Sequence, residues 1–205
     1  MSTAYIWEIN AKNSPLLKKK CNHCDSNRFQ CSDKFRLNAQ KKNIDIWLIY
    51  RCIQCNNRYN LALFSRIRTE SISKDLFQKM SENNSEAAWQ YAFSHEIRRK
   101  NNVEADLDSV EYNIVHEEIS VNEMLHLPSE TLTFKINYPF DFHLRMSAVI
   151  RRCLNLSLRQ LEQLIDNNAV SVNGRPLQKK HKIKNGDMIM INRQSLIVIL
   201  SKENH

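Results

Sequence analysis

Four cysteines restrict this chain more than any other feature. Cys21-Asn22-His23-Cys24 and Cys52-Ile53-Gln54-Cys55 are two Cys-x-x-Cys pairs, separated by the 27 positions 25–51. Two intervening residues let both thiolates of a pair converge on one ion, and two pairs supply the four sulfurs of a closed tetrahedral site. The expectation is a single structural Zn2+ held by Cys21, Cys24, Cys52 and Cys55, because four sulfurs leave no ligand position for water. Disulfides or a dithiol redox pair are the alternatives. Disulfides are disfavoured in a reducing compartment, and a redox motif has no reason to be duplicated. His23, Cys31 and Cys153 fall outside the paired knuckles and are expected to be bystanders.

The sequence around the knuckles reads as sheet. Arg28 to Leu37 and Ile44 to Arg51 are rich in aromatic and branched residues and are separated by the polar stretch Asn38 to Asn43, which predicts a hairpin. Arg58 to Phe64 predicts a third strand, completing the small antiparallel sheet of a zinc ribbon. Such a sheet has little core of its own, so metal binding must provide much of its folding free energy.

Charge is distributed unevenly. Residues 1–65 carry 11 Lys+Arg against 4 Asp+Glu, residues 66–140 carry 8 against 13, and residues 141–205 carry 11 against 5, giving +7, −5 and +6 within a total of +8. Basic ends suit polyanion contact, since clustered Lys and Arg gain affinity by releasing counterions from phosphates. A solvated basic surface without a nucleic-acid partner is the plainer alternative. The only glycines are Gly174 and Gly186, so there is no Gly-rich loop to cradle a dinucleotide or a nucleoside phosphate. Neither a His-Glu-x-x-His pattern nor a Gly-x-Ser-x-Gly elbow occurs. No catalytic residue and no small-molecule substrate are therefore expected. The amino terminus lacks a signal-peptide pattern, and the longest apolar runs are far short of a membrane span. A cytoplasmic protein with no membrane partner is the expectation.

In the middle, Ser73 predicts the cap of a short helix running through Met80, and Ala88, Trp89, Ala92, Phe93 and Ile97 form a stripe at helical spacing in the next one. Residues 101–130 are acidic and weakly patterned. Further on, Met146, Val149, Ile150 and Cys153 mark one face of a helix, and Ser157 with Gln160 forms a capping-box pattern before Leu161, Leu164 and Ile165. Ala169 to Val172 alternates like a strand and ends at the hairpin signal Asn173-Gly174. Asn185-Gly186-Asp187 marks another turn, with strands predicted at Met188–Ile191 and Leu196–Leu200.

From Arg145 through Pro176 this stretch resembles the RNA-binding domain named after small-subunit ribosomal protein four, called the S-four domain here. The resemblance runs through Arg-Met-Ser, Leu-Asn-Leu-Ser, Gln-Leu-Glu-Gln-Leu-Ile and Val-Ser-Val-Asn-Gly-Arg-Pro. It implies two helices and a first strand presenting a basic surface to structured RNA, ribosomal or transfer RNA among the candidates. Arg145, Ser157 and Gln160 occupy family positions, Arg152, Lys179, Lys180 and Lys182 would extend the surface, and Arg159 stands beside Leu158, where the family carries an arginine. Ser147 replaces the usual Asp and Asn168 the usual glycine. The amino-terminal two thirds also look like an uncharacterised bacterial family in which a zinc ribbon opening near a Trp-Glu-Ile segment, here Trp7-Glu8-Ile9, precedes such a domain.

The sequence thus predicts an α+β protein: a zinc ribbon over 1–65, an acidic helical segment over 66–140 and an S-four-like domain of two helices and a β-hairpin over 141–205. The expected function is non-catalytic binding of structured RNA, with the ribosome as a possible location. Two alternatives stand beside it. One is a protein-interaction adaptor that docks through the acidic middle; the other is an RNA-modifying enzyme, for which about 75 residues between the end domains are too few.

Overall fold

The computed structural model describes residues 4–201 and shows a mixed α+β fold. Its described residues divide into two compact units, one made of residues 4–10 and 112–201, the other of residues 11–111. The three sequence segments do not each map onto a unit: 66–111 lies with the cysteine pairs, and 112–140 with the carboxy-terminal segment.

In the unit of residues 11–111, β2 (Leu16–Lys18), β3 (Arg28–Gln40), β4 (Asn43–Cys52), β5 (Arg58–Arg68) and β6 (Glu104–Asp106) form a five-stranded sheet ordered β5-β4-β3-β2-β6. The β3–β4 hairpin is as the sequence indicates, but its turn needs only Lys41 and Lys42, so both strands run further than the polar stretch suggested. The register shifts between Cys31 and Lys34, where Ser32 and Asp33 are two extra residues in β3; because the insertion is even, Cys31 and Phe35 stay on the same face. That inner face carries Phe29, Phe35, Ile46, Leu48, Tyr50 and Leu61, packed in one core with Met80, Ala87, Ala88 and Ala92.

Those last residues come from α1 (Lys74–Ser81), capped by Ser73 as expected, and α2 (Ser85–Phe93). The aromatic stripe is not one continuous helix. Ser94 ends α2 and caps α3 (His95–Lys100) through a hydrogen bond accepted from the Ile97 amide, which places Ile97 on a separate element.

In the other unit, a six-stranded sheet runs β10-β9-β11-β8-β1-β7, from β1 (Tyr5–Ala11), β7 (Tyr112–Val115), β8 (Thr131–Asn137), β9 (Val170–Val172), β10 (Arg175–Pro176) and β11 (Met188–Asn192). The Trp-Glu-Ile segment is therefore not part of the cysteine-bearing sheet. It lies in β1, parallel to β8, with Trp7 stacked on Phe134 at 4.3 Å between centroids. The helices are α4 (Val121–His126), α5 (Met146–Cys153), α6 (Leu158–Asp166) and α7 (Arg193–Ser201). In α5 the predicted face Met146, Val149, Ile150 and Cys153 is buried, and so are Leu161 and Leu164 of α6.

The run Leu196–Leu200, expected as a strand, is helical. Asn192 Oδ1 accepts from the Ser195 amide at 2.9 Å, a helix-initiating cap directly after β11, and burial of Leu196, Ile197 and Ile199 with Val198 exposed follows the helical period. No helix among the described residues is long and apolar enough to cross a membrane.

Candidate functional site

Each cysteine pair sits in a tight loop between antiparallel strands, the first between β2 and β3, the second between β4 and β5. The loops close in the same way. The Cys21 amide donates to Ser26 O at 2.8 Å, the Cys52 amide to Asn57 O at 2.8 Å, and each bond spans five residues. The second loop also needs a left-handed residue, supplied by Asn56 at φ 61°, a conformation asparagine tolerates better than most side chains. Because β3 and β4 pair in the register Phe29↔Cys52, the loops emerge side by side, and the Ile53 amide ties them by donating to Arg28 O at 3.3 Å.

The four sulfurs meet there. Cys21 Sγ lies 3.6 Å from Cys55 Sγ and Cys24 Sγ 3.5 Å from Cys52 Sγ, and all four fall within 4.8 Å of one another. Sulfurs bound to one ion at the usual zinc–sulfur length of ~2.3 Å would be roughly 3.8 Å apart in a tetrahedron. The spacing and the soft donor set fit a single structural Zn2+ and suit hard cations such as Mg2+ poorly.

Local amides divide the charge within each close pair. The His23 amide, 3.4 Å from Cys21 Sγ, lowers that thiol below its ordinary value. Burial opposes ionisation of Cys52, but the amides of Cys55 and Gln54 together with the side chains of Ser26 and Cys24 outweigh it and bring the thiol down to about 6. At Cys24 the Ser26 amide favours the thiolate, yet burial and the three neighbouring sulfurs push the thiol up to about 12. Cys55 is raised as well, since burial and repulsion from Cys21 and Cys52 outweigh the Asn57 amide. Each pair thus joins one thiol that ionises readily to one that resists, and a bound cation relieves the repulsion that holds the second proton in place.

His23, Cys31 and Cys153 are not among the clustered ligands. Cys31 and Cys153 are buried, and burial pushes each thiol up to about 12.

The residues singled out for a basic surface fall into two groups. Arg145, Arg152, Arg159, Lys179, Lys180 and Lys182 are all exposed. Arg145 and Lys182 are backbone bridge partners, held by the Met146 amide donating to His181 O and the Ile183 amide donating to Leu144 O, both at 3.0 Å. Lys179 is ion-paired with Glu162 at 3.0 Å, and the Arg152 guanidinium lies over the Tyr112 ring at 5.7 Å. Ser157 and Gln160 form the second group. They form a complete capping box at the start of α6 through the Gln160 amide and Oε1, and Gln160 is 7% exposed, with its buried Nε2 left without a hydrogen-bond partner.

His181 was not anticipated. Its Nε2 is buried without a hydrogen-bond partner, 3.6 Å from the buried Asp187 carboxylate, which clips the Lys184–Asp187 turn to Asn173. In the sequence this position is legible only as two turns, Asn173-Gly174 and Asn185-Gly186-Asp187, and neither signal encodes the clasp between them.

Neither a curated protein nor a solved structure matches the chain. A family model does, over residues 37–175, which takes in the second cysteine pair, helices α1 to α6, and Arg145, Arg152 and Arg159 of the candidate basic surface. Because that match covers well over half of its length, the chain belongs to the DUF1062 family, described as proteins of unknown function.

Proposed function

We propose that this chain is a non-catalytic RNA-binding protein of the cytoplasm, in which a zinc-held ribbon accompanies an S-four-like surface that takes structured RNA, ribosomal or transfer RNA among the candidates. The observation that carries the reading is the pairing of Arg145 with Lys182 at the start of α5, with Lys180 on the adjoining turn, all exposed. None of these three is ion-paired among the described residues, whereas Lys179 is. The succession α5, α6, β9 and β10, with a capping box at Ser157 and a hairpin at Asn173-Gly174, supports the S-four resemblance. A-form RNA hides its base edges in a narrow major groove, so recognition here would rest on shape and phosphate contacts.

The test is binding to total structured RNA across a salt series, using wild type and a variant in which Arg152, Arg159, Lys179, Lys180 and Lys182 are all changed to Glu. About four phosphate contacts give a log-log salt slope near −3 for wild type and little binding by the variant. Far-ultraviolet circular dichroism and zinc content should be unchanged. Equal binding by both proteins, or none by either, defeats the RNA reading.

A second reading is favoured by Leu158. It is 56% exposed on α6, where the resembling domain carries an arginine. An apolar residue at that position suits a protein-interaction adaptor, which takes over if RNA binding is not found.

A further inference from the structure

The inner face of the five-stranded sheet is apolar and packed against helices, whereas the outer face of its central strands carries mostly polar side chains around a buried Ile49. Pairing across β3, β4 and β5 sets three rows of outward side chains: Gln30, Arg51 and Arg58; Lys34, Ile49 and Asn60; and Arg36, Trp47 and Ala62. Four of these nine side chains are cationic, and no carboxylate occurs in the three rows. Lys34, Arg36 and Arg58 are exposed and Arg51 half-buried, and none of the four has an ion-pair partner among the described residues. Arg51 and Arg58 lie directly opposite one another, an arrangement that weakens a sheet unless an anion lies between them. Arg51 donates only a long bond, 3.4 Å, to Asn56 O.

The third row adds a stacking surface. Trp47 is half-buried, with the Arg36 guanidinium 5.5 Å from its ring and the small Ala62 as its partner across the strand pair. A sheet face with cations spaced along it and a partly exposed indole has the two components that hold a nucleic-acid strand: phosphate neutralisation and base stacking. A duplex offers the phosphates but not the base faces, and an acidic protein or a lipid surface offers no base to stack.

We propose that this sheet face is a second binding site, taking a single nucleic-acid strand whose phosphates lie on Lys34, Arg36, Arg51 and Arg58 and one of whose bases stacks on Trp47. All its residues belong to the unit of residues 11–111, whereas the carboxy-terminal candidates belong to the other unit.

The experiment uses the full zinc-loaded chain, with short oligouridylate and oligothymidylate as separate probes, read by tryptophan quenching and fluorescence anisotropy. The two arms tell whether the strand is RNA or DNA, and binding in either supports the site. Four contacts on a single strand give a salt slope of about −3. Lys34→Glu, Arg36→Glu and Arg58→Glu together should abolish binding, while the variant carrying five glutamates on the carboxy-terminal surface should retain it. Trp47→Ala should weaken binding about tenfold, and Trp47→Phe should restore most of it. Circular dichroism and zinc content confirm that each variant is folded. Absence of binding, equal binding of duplex, or equal losses with Trp47→Phe and Trp47→Ala would overturn the proposal. So would phosphatidylserine vesicles or polyglutamate that displace the oligonucleotide as effectively as unlabelled strand.

Discussion

Six cysteines of identical chemistry have three different environments, and spacing in the sequence separates the ligands from the rest. Cys52 is the most consequential of them: it ends β4, sits opposite Phe29 and belongs to the closer of the two sulfur pairs. Cys52→Ser should strip the metal and with it much of the roughly 10 kcal/mol or more that a structural zinc contributes, seen as sub-stoichiometric zinc and loss of cooperative melting. Cys31→Ala and Cys153→Ala should leave zinc content at wild-type level, because neither sulfur is in the cluster. Cys31 has a separate signature in pH. Burial raises its folded-state thiol to about 12, so its contribution to stability is intact below the unfolded value of roughly 8.5 and is lost as pH rises through the folded one. Tyr50, fully buried beside it and likewise raised, acts in the same direction. Urea unfolding between about pH 9 and 11 should show wild-type stability falling, and Cys31→Ala should reduce the fall by up to ~1.4 kcal/mol per pH unit. Parallel slopes for the two proteins would show that Cys31 does not titrate in this way.

Elements built from local signals were legible, and those built from distant partners were not. β3, β4 and β5 follow from alternation and a short turn, and α5 and α6 from one apolar stripe and a capping box. Leu196–Leu200 was misleading because five consecutive apolar residues have no periodicity to read, and the Asn192 cap that decides for helix is a single side chain. β1, β6 and β7 are short, and β1 and β6 pair with strands more than 80 positions away, which no local pattern encodes. The outer edge of β5 shows the same dependence on distance. Asn101, following α3, accepts from the Ala62 amide and donates to the Ala62 carbonyl, both at 2.9 Å, so one side chain occupies the position a further strand would take. Lys100 Nζ donates to the neighbouring Leu63 carbonyl at 3.0 Å. Open edges invite pairing between copies, and this clasp blocks the middle of one. Asn101→Ala should cost ~1–3 kcal/mol in unfolding free energy for the unpaired backbone groups and raise self-association in sedimentation. A monomer of unchanged stability would show that the clasp is dispensable.

The division of the whole molecule departs furthest from the linear reading, because the chain leaves one sheet after β1 and returns to it at β7. The intervening residues 11–111 form their own compact unit, and its ends are tied by the Lys12 amide donating to Glu111 O at 2.7 Å. A fragment of residues 11–111 should therefore fold and hold about one zinc. The stretch from residue 141, which looks self-contained in sequence, should not fold alone. Its β11 pairs with β8 over five residues, and with β9 over only three. Cutting at 141 removes β8 and β1, and with them Leu132, Phe134, Ile136, Trp7 and Ile9, each at most 2% exposed. At roughly 1.5–3 kcal/mol for each large apolar side chain, the lost burial is on the order of 10 kcal/mol, comparable to the entire stability of an ordinary domain. The measurement is thermal unfolding and amide dispersion of the 141–205 fragment beside a longer one in which residues 1–10 are joined by a short linker to 112–205. The longer fragment should melt cooperatively and the shorter should show no transition. A cooperative melt of residues 141–205 alone would mean that β8 and β1 are accessories to that domain and not its core.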